Sequence, residues 1–247
     1  MKRPTIVGAE DFNSKTDCEG LMKAMKGIGT NDEALIAIVT KRSNEQRLEM
    51  IKTYKEMYKK DLVAEIKSET SGNYLKALQA LMMNPMELLA REINRCIAKK
   101  DTLSVIEIIY MQSCQKLPLL LSEYEKLFGD KSFDKELAKN FKQNQVEMKI
   151  IEGIAKRTKQ NTKTDVELAK QSAVAFSSLL KDSKNIDEIN DKLLDLFTKN
   201  GKSQIRLFLE CYEEESKRIF EKDLAIALEK SKNSLQIWLD LGNFLLV

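Results

Sequence analysis

Apolar positions in the first eighty residues recur at helical spacing, and capping residues punctuate them at short intervals. Cys18, Leu21, Met22 and Met25 share one face of a segment over residues 17–27. Thr30-x-x-Glu33 has the form of a capping box and predicts a second helix with Leu35, Ile36, Ile38 and Val39 inward. Ser43-x-x-Gln46 is another such box, and it opens a third helix carrying Leu48, Ile51 and Tyr54. Asp61 caps a short helix through Leu62, Val63 and Ile66. Ser71-Gly72-Asn73 breaks that helix before a fifth, with Leu75, Leu78 and Leu81. Five short amphipathic helices follow one another, each with its own start signal.

The block recurs. Shifted by 70, LIAIVTKRS at 35–43 lies over VIEIIYMQS at 105–113, and Tyr54 falls on Tyr124. Shifted by 158, LIAIVTKR lies over LLDLFTKN at 193–200. The expected organisation is a tail at 1–16, a first block at 17–83, a second at 87–152 and a third at 165–247. Residues 153–164 between the last two blocks are basic and polar, and read as an exposed linker. The fold class is all-α.

Composition agrees with helix: only 9 glycines and 3 prolines occur in 247 residues. A formal charge of +3 is too small to argue for nucleic acid, and it suits an acidic lipid surface. Cys18, Cys96, Cys114 and Cys211 have no CxxC spacing, so they read as free thiols in a reducing compartment. The opening MKRPTIVGAEDF lacks the apolar run of a secretory signal, and no stretch is apolar enough to span a membrane. The expectation is a soluble, cytoplasmic chain. With 0 histidines there is no imidazole base or ligand, which argues against an enzyme. Gly201-Lys202-Ser203 resembles the end of a phosphate-binding loop, but the motif's first glycine would be Leu196 and no strand precedes it.

The stretch Met25-Lys26-Gly27-Ile28-Gly29-Thr30 admits two readings. In one it is a helix-ending turn, with Gly27 left-handed and Thr30 capping the next helix. In the other its carbonyls face a hard cation, which takes six to eight oxygens at about 2.3–2.6 Å and therefore needs a carboxylate from elsewhere. The text on either side decides between them. The MKGIGT loop, the TKRSNEQR turn and the YKKDLVAEIKSETSGNY stretch together resemble an annexin repeat, sharply in the first block and more loosely in the other two.

That resemblance implies three repeats of about five helices in right-handed superhelical packing, with a calcium site on one convex face. It places the carbonyls of Met25, Gly27 and Gly29 and the carboxylate of Glu69 on Ca2+, with Lys26 meeting a lipid phosphate. The Thr30 carbonyl and Asp32 would form a lesser neighbouring site. Under the two shifts Gly27 and Gly29 become Ile97 and Lys99, then Asn185 and Asp187. Glu69 becomes Lys139 or Asn140, then Ala227, so one good site is expected, in the first block.

The implied function is calcium-dependent, peripheral binding of acidic phospholipid at the inner face of a membrane. The alternative is a calcium-independent helical scaffold for cytoskeletal or other protein partners. The family's core has four repeats, with the first packed on the fourth. A fourth block is not found before Val247, so the apolar stripes of block one (Leu21, Met22, Leu35, Val39, Leu78, Leu81) suggest a homodimer through that block.

Overall fold

The computed structural model describes residues 7–27, 29–129, 132–141, 145–157, 163–182 and 185–246. All of its elements of regular structure are helices. In the first block these are α1 (Ser14–Met25), α2 (Asp32–Thr40), α3 (Asn44–Tyr58), α4 (Leu62–Glu69) and α5 (Gly72–Met82). In the second they are α6 (Pro85–Lys99), α7 (Thr102–Tyr110), α8 (Leu117–Phe128), α9 (Phe133–Asn140) and α10 (Gln145–Ala155). In the third they are α11 (Val166–Asp182), α12 (Ile186–Lys199), α13 (Lys202–Ser216), α14 (Phe220–Ala227) and α15 (Lys232–Leu246). The contacts divide the chain into two compact units, Met1–Leu88 and Leu89–Val247, so the second and third blocks share one packed body.

Start signals explain the short helices of the first unit. Ser43 and Gln46 form a full capping box, and Asp61 accepts from Ala64 N at 2.9 Å. The second helix departs from expectation, because its cap is Asn31, which accepts from Ala34 N at 3.0 Å. Thr30 is thereby free for another role. Ile36 is also not inward: Leu35 and Val39, one turn apart, bury fully, while Ile36 is 43 % exposed on the flank. Gln46 makes a further pair of bonds, accepting from Ala9 N at 3.0 Å and donating to Ala9 O at 2.8 Å. Part of the segment read as a tail is therefore pinned to α3, and residues 1–6 lie outside the described residues.

The core of the first unit gathers Cys18, Leu21, Leu35, Met50, Tyr54, Leu62 and Ile66. Two ionic arrangements flank it. Arg42 binds Asp17 through two nitrogens at 2.5 and 2.8 Å, both side chains nearly buried. Arg47 is buried without an acid and donates instead to Leu81 O, Val39 O and Arg42 O, carbonyls at or just past the ends of α2 and α5. Leu21, Leu35, Val39 and Leu78 are within this core, with Met22 and Leu81 packed against it. Four of the six stripe residues are thus buried within their own block, while Met22 and Leu81 stay partly exposed.

In the second unit α7 and α10 pack with α12 and α15, and α11 lies along α13. Trp238 is 2 % exposed, stacks near Phe197 and donates to Asn190 Oδ1 at 2.8 Å, as its apolar neighbours suggested. The reading of 153–164 as an exposed linker needs correction at its start. Residues 153–155 finish α10, and Arg157 is buried. It donates to the carbonyls of Ile109, Tyr110 and Gln112 at the end of α7 and lies 5.0 Å from the Tyr110 ring. An arginine without an acid beside it satisfies helix-end carbonyls, which a polar-composition reading does not foresee. Residues 158–162 of that segment lie outside the described residues.

One residue repeats across all three blocks: Tyr54, Tyr124 and Tyr212 are each fully buried on the third helix. Their hydroxyls meet Met22 Sδ, Asn94 Oδ1 and Asp223 Oδ2 respectively. Burial pushes the Tyr54 and Tyr124 phenols up to about 12, and pushes Tyr212 up as well. Below the ordinary tyrosine range near pH ~10 these groups are neutral in both folded and unfolded chains and cost nothing. Above it the unfolded chain releases protons that the folded chain retains, so stability falls as pH rises towards 12. Denaturant midpoints should therefore hold steady from neutrality to about pH 8.5, decline as the unfolded chain loses the thiol proton that buried Cys18, pushed up to about 11, retains, and drop more steeply once the tyrosines join beyond about pH 10.

Candidate metal centre

α1 ends at Met25, whose side chain is buried, and the next helix does not start until Asp32. Asn31 N closes this excursion on Ala24 O at 2.8 Å, and Asp32 N bonds Thr30 O at 3.1 Å. Both bonds draw on carbonyls other than those of Met25, Gly27 and Gly29. The turn depends on its glycines. Gly27 has φ +117° and Gly29 φ +83°, and nothing lies within 4 Å of a Cβ built on either. The need for glycine is thus conformational rather than a matter of space. Lys26, Gly27 and Gly29 are exposed, and Ile28 lies outside the described residues.

Glu69 is the last residue of α4 and comes to this loop from 44 positions beyond Met25. The Thr30 hydroxyl joins them, lying 3.1 Å from both Glu69 Oε2 and Glu69 O. Thr30 therefore tethers the carboxylate instead of capping α2. The sequence pointed to both residues but not to their bond, because nothing in the chain's local pattern shows which residues α4 approaches. Asp32 sits in the first turn of α2, near the buried Tyr74 hydroxyl, which makes no hydrogen bond of ordinary geometry. Burial, and then the Asp32 charge, raise the Tyr74 phenol. Asp32 thus lies close enough to Tyr74 on α5 to act on its phenol.

Among the described residues no group of three or more His, Cys, Asp or Glu side chains could hold a metal ion. The donor set at this loop is of another kind: main-chain carbonyls from a tight turn and one carboxylate held by a hydroxyl. All-oxygen donors of this type fit a hard cation such as Ca2+, with coordination positions left over for water or phosphate oxygen.

The other blocks lose the loop by two routes. In block two, α6 continues to Lys99, four residues beyond Arg95, the counterpart of Met25. Ile97, in the place of Gly27, is a buried helical residue, and only Lys100 and Asp101 connect to α7. In block three the extra turn is on the other side. α12 starts at Ile186, four residues before Asn190, the counterpart of Asp32, and Asn185 caps it. Asn140 and Ala227, in the place of Glu69, end α9 and α14 without a carboxylate.

With the fold and loop described, the likenesses have a physical content. Residues 16–81 match the family model described as Annexin. Annexin A8 of Homo sapiens is 38% identical over 127 residues, which are 51% of this chain and 39% of that protein. Annexin A6 of Gallus gallus is 33% identical over 138 residues, 55% of this chain and 20% of that one. The solved structure of annexin III superposes with a TM-score of 0.89 at 25% identity, over 99% of this chain and 74% of that chain. Calcium-bound annexin (Sm)1 superposes with a TM-score of 0.80 at 21% identity, over 97% of this chain and 71% of that one, a likeness of fold. The chain is an all-α repeat protein whose residues 16–81 match the annexin family and whose described fold is similar to that of annexin III. The matched stretch spans about two fifths of annexin A8.

Gly27→Ala should force the loop out of a conformation that alanine tolerates poorly, at about 1–2 kcal/mol. Calcium affinity measured by calorimetry should fall about tenfold, with little change in thermal stability because no core contact is lost. Thr30→Val should weaken binding by a smaller factor, about fivefold, by releasing Glu69.

Proposed function

We propose that this protein binds acidic phospholipid surfaces reversibly and in a calcium-dependent way through the first-block loop. The carbonyls of Met25, Gly27 and Gly29 with both Glu69 oxygens would hold the ion, and its remaining positions would take lipid phosphate. The observation that carries the reading is the Thr30–Glu69 bond, which brings a distant carboxylate to a turn with two positive-φ glycines. Calcium supplies the positive charge by which a phosphate head group is drawn to a loop whose own ligands are all electronegative. Lys26, exposed at the loop's tip, would meet the same head group. The lesser site at Thr30 O and Asp32 is subordinate in this reading, since Thr30 O already accepts from Asp32 N.

Such a protein is a peripheral membrane binder rather than an enzyme, and it would act on the cytoplasmic face, where acidic lipids concentrate. No helix among the described residues is long and apolar enough to cross a membrane. One loop gives weak, reversible attachment, because avidity from several loops is not available to blocks two and three. That same loss favours a second reading. With two of three loops wound into helix, the chain would serve as a calcium-independent scaffold for cytoskeletal or other protein partners.

Cosedimentation with phosphatidylserine vesicles separates the two. The protein should pellet with calcium and stay in solution with chelator, and Glu69→Gln should abolish the difference, with calcium affinity down at least about tenfold. Equal pelleting in calcium and chelator would favour the scaffold. Trp238 emission should not respond to calcium and vesicles, because its ring is buried against Phe197 and Asn190 of α12.

A further inference from the structure

Tyr74 carries a polar atom that the packing of block one does not use. Its side chain lies against the first core, and its hydroxyl oxygen is buried without a hydrogen bond of ordinary geometry. A buried donor left unpaired is costly, and folded chains hold few of them. Of the charged groups, Asp32 is the one that acts on this hydroxyl. α2 and α5 pack together, with Asp32 in the first turn of one and Tyr74 in the first turn of the other.

The Asp32 carboxylate is not spent on the helix end, because Asn31 caps α2. The Asp32 amide donates to Thr30 O at 3.1 Å, and a carbonyl oxygen has a second lone pair to offer. Thr30 O and the Asp32 carboxylate are two oxygens suited to a hard cation, and the Tyr74 hydroxyl is a donor suited to holding the second of them.

Block three gives the same position a closed form. Asn190, in the place of Asp32, accepts through Oδ1 from Ser234 Oγ at 2.6 Å and from Trp238 Nε1 at 2.8 Å, both on α15. The frame thus brings donors of the fifth helix to this side chain in both blocks. In block three they hold an amide, and Lys232 stands in the place of Tyr74. In block two Thr102 replaces Asp32, and Asn144 or Gln145 replaces Tyr74. A carboxylate facing a fifth-helix phenol belongs to the block that keeps the loop.

We propose that Tyr74 is a positioning residue for the lesser calcium site. Its hydroxyl donates to one Asp32 oxygen and leaves the other, with Thr30 O, to face the ion. Carboxylates that bind metals are ordinarily held by such an outer donor. The inference rests on the first-block loop being a calcium site, and it adds a residue that does not itself touch the metal.

The test titrates calcium calorimetrically into the full chain without lipid. Tyr74→Phe keeps the ring and removes the hydroxyl alone. The wild type should bind a main equivalent and a weaker second one, and Tyr74→Phe should weaken the second about tenfold while leaving the first unchanged. Asp32→Asn should abolish the second equivalent. Ultraviolet difference spectra should show the wild-type phenol band moving to the red as the second equivalent binds, and Tyr74→Phe should lack that shift. Thermal unfolding in chelator separates positioning from a structural role. Tyr74→Phe loses no bond of ordinary geometry there, so its melting temperature should not fall. A second equivalent unaltered by either substitution, its absence from the wild type, or a lowered melting temperature in chelator would overturn this inference and leave the main site standing. No calcium bound by the wild type at all would overturn both.

Discussion

Helical hydrogen bonding and cation binding compete for the same backbone carbonyls, and that competition governs what each block can do. A carbonyl inside a helix already accepts from the amide four residues on, and only a chain held out of the helix can turn its oxygens elsewhere. Block one keeps such a connection between Met25 and Asp32. Its cost is two positive-φ positions, which glycine meets without steric penalty. In blocks two and three the corresponding residues favour helix, and one added turn removes the oxygens from use. Loss of the site therefore needs no damage to the fold. It follows from replacing two glycines with residues that continue or cap a helix.

The exchange also explains why the three blocks keep a common frame while diverging at this connection. The third-helix tyrosines remain buried in every block, and the helix count remains five. Extra helical length grows from α6 in one case and from α12 in the other, so neither block inherits its geometry from the other. In block three the lengthened helices also part along their flanks, which opens a groove between α11 and α12.

Much of block one was legible in the chain because its signals are local. Ser43 with Gln46, and Asp61, cap where their spacing says they should, and Gly27 and Gly29 take the conformations their identity suggests. Signals that depend on approach from afar were not legible. Thr30 and Asn31 are both competent caps, and the choice of Asn31 follows from Glu69 arriving to engage the threonine hydroxyl. Ile36 is one apolar residue more than the buried face of α2 holds. Arg157 looks like linker until the carbonyls closing α7 appear beside it. Apolar stripes likewise do not say whether they meet their own block or a stranger, and those of block one meet their own.

The glutamine that completes the α3 capping box has a mechanical consequence. Gln46 grips both the amide and the carbonyl of Ala9, and Gln204, 158 residues on, grips Asp165 in the same two-handed way at 2.7 and 2.8 Å. Two bonds set side by side on one side chain bear a pull along the strand together and must rupture together. A tug on the segment leading into block one or block three is therefore passed to the middle of its bundle rather than unravelling the first helix from its end. Block two has Lys116 at that position, which offers no amide to grip with. Under tension, its leading segment would yield first.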